Sequence, residues 1–291
     1  MFGVPWSGAM DQFSLIAANC LVGNDLNSAC LETTLIGPEL QALTQVQVAV
    51  TGGNCSPLIN GKMVPMWQTL TVEEGGIVAF GRMETGCRAY VAVRGGIEVA
   101  LVLGSASTYA RGQLGGIEGR HLKAEDQIEG YDAEALDDDL LFPLDMQPRY
   151  SNDVEVDVIM GPQDDMFTEE AIETLLTSRF KVTPESDRMG YRLEGPLIKH
   201  VKETEIVSDA ILPGAIQVPK SGKPILMMRD AQTTGGYPKI ATVISSDLSK
   251  LGQAKPNDTI KFTKTSLYEA KKKMRAHSEM TMKVESLLLK M

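Results

Sequence analysis

The sequence predicts a mainly β protein with a few helices, organised as two strand-dominated domains. Short apolar or alternating segments recur along most of the chain, each bounded by Gly, Pro, Asn or Asp. Glycine is abundant at 27, while aromatic residues make up only 5%, which suits strands and tight turns better than helix bundles. At 291 residues the chain exceeds what one ordinary core covers, so two domains are expected. Many short strands with regular turns favour barrels over a parallel sheet.

Taken in order, the opening "GVPWSGAMDQFSLIAANCLVGN" holds one helix, with Met10, Phe13, Ile16, Ala17, Cys20 and Leu21 at three- and four-residue steps. Ser7 is expected to cap its start and Gly23 to end it. Asn24 or Asp25 is expected to open a second short helix through Leu31. After Gly37-Pro38 the texture becomes strand-like, with Val46, Val48 and Val50 alternating. Asn60-Gly61 signals a type I′ hairpin turn. "TLTVEEGGIVAFG" reads as strand, turn, strand, and "CRAYVAVRGG" as an almost fully buried strand.

Between Glu125 and Asp145 lie nine acidic residues and no basic one, which reads as a solvated linker or loop face. It sets the expected boundary between a first domain, 1–148, and a second, 149–291. The second opens on "DVEVDVIMG", where Val154, Val156 and Val158 alternate. A helix is expected over 168–177. "RMGYRLEG", "EIVSDAI", "AIQVP", "PILMMRD", "KIATVIS" and "DTIKF" are successive strands, and a lysine-rich helix, 266–277, closes the fold.

Several function classes are excluded. A net charge of −10 leaves no basic excess for a nucleic-acid backbone. No GxxxxGK[ST], GxGxxG or GxSxG occurs, so a self-contained P-loop, a simple dinucleotide fold and a nucleophile elbow are absent. Cys20, Cys30, Cys55 and Cys87 make no CxxC pair, and His121, His200 and His277 are scattered, so no metal site is expected. With no leader pattern and no long apolar stretch, a cytoplasmic protein with reduced thiols and no membrane partner is expected. "MTMKVES" at 280–286 resembles the Met-Lys core of a biotinylation site, but its flanks read as helix, so covalent biotin on Lys283 is not expected.

What remains is a set of glycine-rich polar segments at strand ends. They are Gly3 to Asp11, Thr51 to Asn54, Arg94 to Gly96, Arg111 to Arg120, Asp187 to Arg192, and "RDAQTTGGYPKIA" at 229–241. Paired glycines let backbone N–H groups approach a ligand, and a neighbouring arginine can clamp a carboxylate or carbonyl. The last segment is longer and chemically richer than a turn between two strands requires.

"GVPWSGAMDQFSLIAANCLVGN", "LETTLIGPEL", "AYVAVRGGIEV", "VLGSASTYARGQLGGIEGRHL", "SDRMGYRLEG" and "RDAQTTGGYPKIATVISSDLSKLGQ" closely resemble the carboxyltransferase family related to urea amidolyase. That family includes proteins like the second subunit of allophanate hydrolase, the C subunit of bacterial 5-oxoprolinase, and KipA. The likeness runs in order from about residue 3 to 263. Family members carry a further stretch like "TVQDLGR" ahead of the first motif, so the resemblance implies an additional strand before residue 1.

The resemblance implies two cyclophilin-like β-barrel domains. It implies work as the C subunit of an ATP-dependent 5-oxoprolinase, which hydrolyses 5-oxoproline to L-glutamate. The partners implied are a KipI-like B subunit and a LamB/YcsF-type A subunit, with ATP handled jointly at a site the sequence does not locate. An alternative is biotin-dependent carboxyl transfer to urea or a similar amide, with carboxybiotin as a substrate. Another is a KipA-like regulator that binds a KipI-type kinase inhibitor.

In this light 229–241 becomes a substrate-facing loop. Asp230 would orient a donor or act as a base, and Gln232 would pair with an amide. Thr233, Thr234, Gly235 and Gly236 would offer hydroxyls and N–H groups to an oxygen, with Tyr237-Pro238 stiffening the exit. Arg188 and Asp187 would join Asp230 as catalytic groups, and Arg192, Asp11 and Arg94 would bind the substrate. Lys239 reads equally as an electrophile or charge partner and as an ordinary exposed lysine.

Overall fold

The computed structural model describes residues 3–288. They divide into two compact units. One holds the opening residues through Met10 with Ser151–His277, the other Asp11–Tyr150 with the residues from Ser278 onward. The change of unit after Tyr150 lies close to the expected 148/149 boundary, whereas the opening residues and the chain end each go with the opposite half.

The 11–150 unit begins with helix α1 (Gln12–Leu21). Its N-cap is Asp11, whose extended backbone (φ −112°, ψ 94°) lets the carboxylate accept the Ser14 N–H. Ser7, expected in that role, instead has a left-handed φ of 54°. Gly23, at φ 62°, ends the helix as expected. The expected second helix does not form. Asn19 Nδ2 donates to the carbonyls of Leu26 and Ser28, a side-chain alternative to helical bonding.

Eight strands follow: β1 (Leu31–Thr34), β2 (Glu39–Gln41), β3 (Val46–Asn54), β4 (Leu58–Ile59), β5 (Lys62–Met63), β6 (Thr69–Val72), β7 (Ile77–Ala79) and β8 (Thr85–Val93). They form two four-stranded sheets, β1-β8-β3-β6 and β2-β7-β4-β5. Val48, Val50, Leu70, Val72, Val78, Phe80 and Val91 share one core. The Asn60-Gly61 turn has the two positive φ angles, 51° and 75°, that a type I′ hairpin demands. The two strands of "TLTVEEGGIVAFG" separate, β6 pairing with β3 and β7 with β2 and β4.

The acidic run is not simply a solvated linker. Asp137, Asp138 and Asp139 are exposed, but Leu140, Phe142 and Met146 are buried. Phe142 donates its N–H to the Trp67 carbonyl and packs edge-on against Phe13. Charge on one side of this stretch conceals apolar residues on the other.

The remaining strands are β9 (Asp153–Met160), β10 (Arg179–Val182), β11 (Gly190–Glu194), β12 (Asp209–Ala210), β13 (Ala215–Gln217), β14 (Ile225–Met227), β15 (Thr234–Gly235), β16 (Lys239–Val243) and β17 (Thr259–Lys264). Seven of them close a barrel in the order β10-β11-β14-β13-β16-β9-β17. β17 completes it, antiparallel to β10 and parallel to β9. Val154, Val156 and Val158 of β9 point into the core beside Phe180, Tyr191, Ile216, Leu226, Ile240 and Phe262.

Helix α2 (Glu169–Thr177) is capped by the Thr168 hydroxyl, and α3 (Leu248–Gly252) is one short turn. Helix α4 (Leu267–Leu288) runs past the expected end at His277 and carries Lys283, so this lysine sits on a helix and not on a hairpin. Near its start Lys273 pairs with Asp157 of β9. No described helix is long and apolar enough to cross a membrane.

Phe262 is fully buried and packs against Phe180 with ring centroids 6.0 Å apart. Phe262→Ala removes this contact from a closed core and is expected to cost about 3–5 kcal/mol. Urea unfolding with an unchanged m-value checks it; a cost below about 1 kcal/mol would mean that the barrel collapses onto the gap.

Candidate functional site

The 151–277 unit gathers most of the residues singled out from the sequence. In the barrel order β13 lies between β14 and β16, so the connection 228–238 must cross β13. Ile216 faces the core, which turns Ala215 and Gln217 outward. Gln217 is nevertheless buried, and its Nε2 donates to the Tyr237 carbonyl at 3.3 Å. The connection therefore forms a second layer over the barrel wall. Ala231 joins Ile211, Ala215 and Met227 in a small apolar cluster there.

This layer explains the glycines. A Cβ on Gly235 would lie 2.6 Å from Ile211 Cδ1 and 3.0 Å from Gln217 Nε2. Thr234 and Gly235 form β15, which pairs with β12. The carbonyls of Thr233 and Gly236 accept from the N–H groups of Ile211 and Ile206. Much of the segment's backbone thus fastens residues 206–211. Gln232 and Thr234 are exposed, as is the Tyr237 ring at 40%.

At the exit of β14 Asp230 is buried. Its carboxylate takes two bonds from Arg188, Nε to Oδ2 at 2.9 Å and Nη2 to Oδ1 at 3.0 Å. Arg188 Nη2 also donates to the Gly8 carbonyl, while the Asp230 N–H donates to the Arg188 carbonyl. This two-pronged geometry orients both partners. Asp187 shapes the adjoining turn, its Oδ1 accepting the N–H groups of Met189 and Gly190. Arg192 points its side chain to solvent from β11.

A second charged pair sits at the start of β16. Lys239 is only 4% exposed, and its Nζ donates to Asp209 Oδ2 at 2.6 Å. Asp209 lies on the exposed strand β12, where this bond is the largest cause holding its carboxyl below the usual range. Gln163 ties the pair together, Oε1 accepting the Lys239 N–H at 3.2 Å and Nε2 reaching Asp209 at 3.4 Å. Gly161 is required beside it, since a Cβ there would lie 2.0 Å from the Lys239 carbonyl oxygen. Gln217 is the register partner of Lys239 on β13.

Asp11 and Arg94 belong to the other unit. The Asp11 carboxylate is occupied by Ser14 and by the Tyr150 hydroxyl at 2.9 Å. Arg94 donates to the carbonyls of Val22, Gly23 and Glu134, closing the C-terminal end of α1. Sequence reasoning misses Gln163, Asp209, Gln217 and Gly161. A glutamine inside the apolar stretch "AIQVP" is the legible signal for Gln217. Asp209 gives none, because a lone acid in a polar segment reads as surface.

The chemistry offered is one of oriented charges and amide groups. Burial pushes the Cys30 thiol up to about 12 and the Cys55 thiol up to about 11, so neither is an activated nucleophile. No group of three or more His, Cys, Asp or Glu is placed to hold a metal ion among the described residues. Fixed ammonium, guanidinium and amide donors suit the binding and polarisation of a carbonyl or carboxylate.

Comparison with known proteins gives the family of the chain. Residues 2–264 match the family described as carboxyltransferase domain, subdomain A and B. The chain belongs to this carboxyltransferase family. It is 36% identical to the 5-oxoprolinase C subunit of Escherichia coli K12, over 93% of this chain and 86% of that protein. It is 38% identical to the Haemophilus influenzae 5-oxoprolinase C subunit over the same shares. The Saccharomyces cerevisiae urea amidolyase is 33% identical over 97% of this chain, which spans only 16% of that protein. Among solved structures, the K. lactis urea amidolyase matches with a TM-score of 0.91 at 33% identity, over 97% of this chain and 18% of that one. The carboxyltransferase-family barrel and its outer layer are thus the setting for both charged pairs.

Two consequences are measurable. Arg188→Met strands the buried Asp230 carboxylate, and a loss of about 3–5 kcal/mol is expected in urea unfolding, against a smaller loss for Arg188→Lys. The depressed Asp209 pKa implies that its stabilisation is complete above the ordinary aspartate value of about 3.9 and is lost as pH falls through the lower folded value. Amide exchange at Ile206 and Ile211 is expected to accelerate selectively in that acid window. Equal acceleration in Asp209→Asn would remove the pair as its cause.

Proposed function

We propose that this chain is the C subunit of an ATP-dependent 5-oxoprolinase, opening the lactam of 5-oxoproline to give L-glutamate together with partner subunits. The observation that carries the reading is the 36% and 38% identity to two 5-oxoprolinase C subunits, extending over 86% of each. A lactam acid presents a carbonyl, an amide N–H and a carboxylate. The barrel layer offers counterparts in Lys239, Gln163, Gln217 and the Arg188–Asp230 pair.

ATP handling would be shared with the partners, a KipI-like B subunit and a LamB/YcsF-type A subunit. The helix N-termini of α1 and α2 do not fit a triphosphate. The carboxylate of Asp11 caps α1, and α2 carries Glu169 and Glu170 in its first turn. Negative charge at both positions repels phosphate from the sites where a helix would otherwise attract it.

A second reading is favoured by the 0.91 TM-score with urea amidolyase: carboxyl transfer from carboxybiotin to a urea-like amide. Lys283 lies on a helix, so biotin would then be carried elsewhere than on this lysine.

The deciding experiment mixes this chain with A- and B-type proteins from the same organism and follows ATP hydrolysis and glutamate. Glutamate formation that requires every component, resists avidin and needs no bicarbonate is the expected result. Avidin-sensitive, bicarbonate-dependent consumption of urea would replace it with the second reading. Stable complex formation without turnover of either substrate would overturn both.

A further inference from the structure

The Lys239–Asp209 pair is unequal in a way that a plain structural ion pair is not. The cation is built into the barrel. Lys239 is 4% exposed, its N–H is held by Gln163, its carbonyl is wedged against Gly161, and β16 is paired on both sides. The anion is not. Asp209 is exposed, on a two-residue strand whose ladder partner is the equally short β15. The chain before it is open to solvent, with Val201 53% and Val207 93% exposed, whereas Ile211 behind it is buried at 5% and anchored in the small apolar cluster. Residues 207–210, exposed and paired over two positions only, are the part that opens at low cost, hinged on Ile211.

A buried ammonium cannot be left without an anion, because desolvation of an unpaired charge is expensive. Asp209 is therefore displaced most cheaply by another anion that takes its place. We infer that the Lys239 ammonium is a carboxylate-binding position at which Asp209 is the exchangeable occupant. A small carboxylic acid bearing an amide takes that place when residues 207–210 swing away. The amide Nε2 of Gln163, which already reaches the resident carboxylate, would follow the incoming one. Gln217, the β-register partner of Lys239, would offer an amide to the ligand's own amide. That the ligand is a lactam acid rests on the proposed function; that it is a carboxylate rests on the pair alone.

Calorimetric titration of the whole chain tests this with three probes: acetate, 5-oxo-L-proline, and 2-pyrrolidinone, which keeps the lactam and lacks the carboxylate. Asp209→Asn removes the competitor, so both carboxylates are expected to bind about tenfold tighter or more than to the unsubstituted chain, with 2-pyrrolidinone unchanged. Lys239→Met is expected to abolish the gain in the Asp209→Asn background. Should that double variant fail to fold, the comparison of Asp209→Asn with the unsubstituted chain still decides. Carboxylate affinity that ignores Asp209→Asn, or 2-pyrrolidinone affinity that rises with it, overturns the exchange. Acetate tightened without any binding of 5-oxoproline leaves the exchange standing and overturns the lactam-acid reading.

Discussion

The parallel pairing of β9 with β17 is the constraint on which the barrel unit depends. It joins residues 153–158 to residues 259–264 and turns seven strands into a closed ring. Without it both strands would present open edges, and the inward valines of β9 would lose the facing Phe262 and Ile260. On its other side β9 pairs with β16. Gly161 and Lys239 are held together by that register, so the placement of the buried ammonium follows from closure of the ring.

Closure also decides how polar groups are treated. Each barrel strand spends one face on the core, leaving the opposite face to be solvated or covered. Over β13 and β14 it is covered, by the connection 228–238 and strand β12. Covering a wall that contains Gln217 and adjoins Lys239 obliges the layer to supply partners, and it does so with the Tyr237 carbonyl and Asp209. The Arg188–Asp230 pair meets the same obligation through two-pronged bonding. A two-pronged guanidinium–carboxylate contact resists exchange more than a single ammonium contact does, since two bonds must break together. The two pairs therefore divide the labour: one holds the loop, the other can change partners.

Much of this is legible in the sequence. Alternation marks β9 and β3, Asn60-Gly61 marks its hairpin, and a richer-than-needed connection marks 229–241. Illegible features share one cause: they depend on residues distant in the chain. Asp11 displaces Ser7 as the cap because Ser7 has left-handed backbone. The acidic run hides the buried Leu140 and Phe142, whose environment is made by Trp67 and Phe13. Lys239 and Asp209, thirty residues apart, cannot be matched from composition, since nothing local distinguishes a buried lysine from an exposed one. The glycines of 229–241 read as room for a ligand, but at Gly235 the space is taken by Ile211 and Gln217.

The two catalytic readings ask for similar recognition of an amide and differ in where a carboxylate comes from. Urea is neutral, so in carboxyl transfer the only carboxylate able to displace Asp209 is that of carboxybiotin. A lactam acid carries the displacing group on the same small molecule as the reacting carbonyl. Binding energy gained at Lys239 would then be available to pull residues 207–210 aside for the acid and not for a neutral amide such as urea, which is how an exchangeable ion pair becomes a selectivity filter. A site meant for urea alone would be better served by a neutral donor at residue 239, free of the desolvation cost of a lysine. An ammonium there, with its partner on a two-residue strand of the outer layer, suits a carboxylate ligand, which a lactam acid carries on the molecule that reacts and which carboxyl transfer brings only on carboxybiotin.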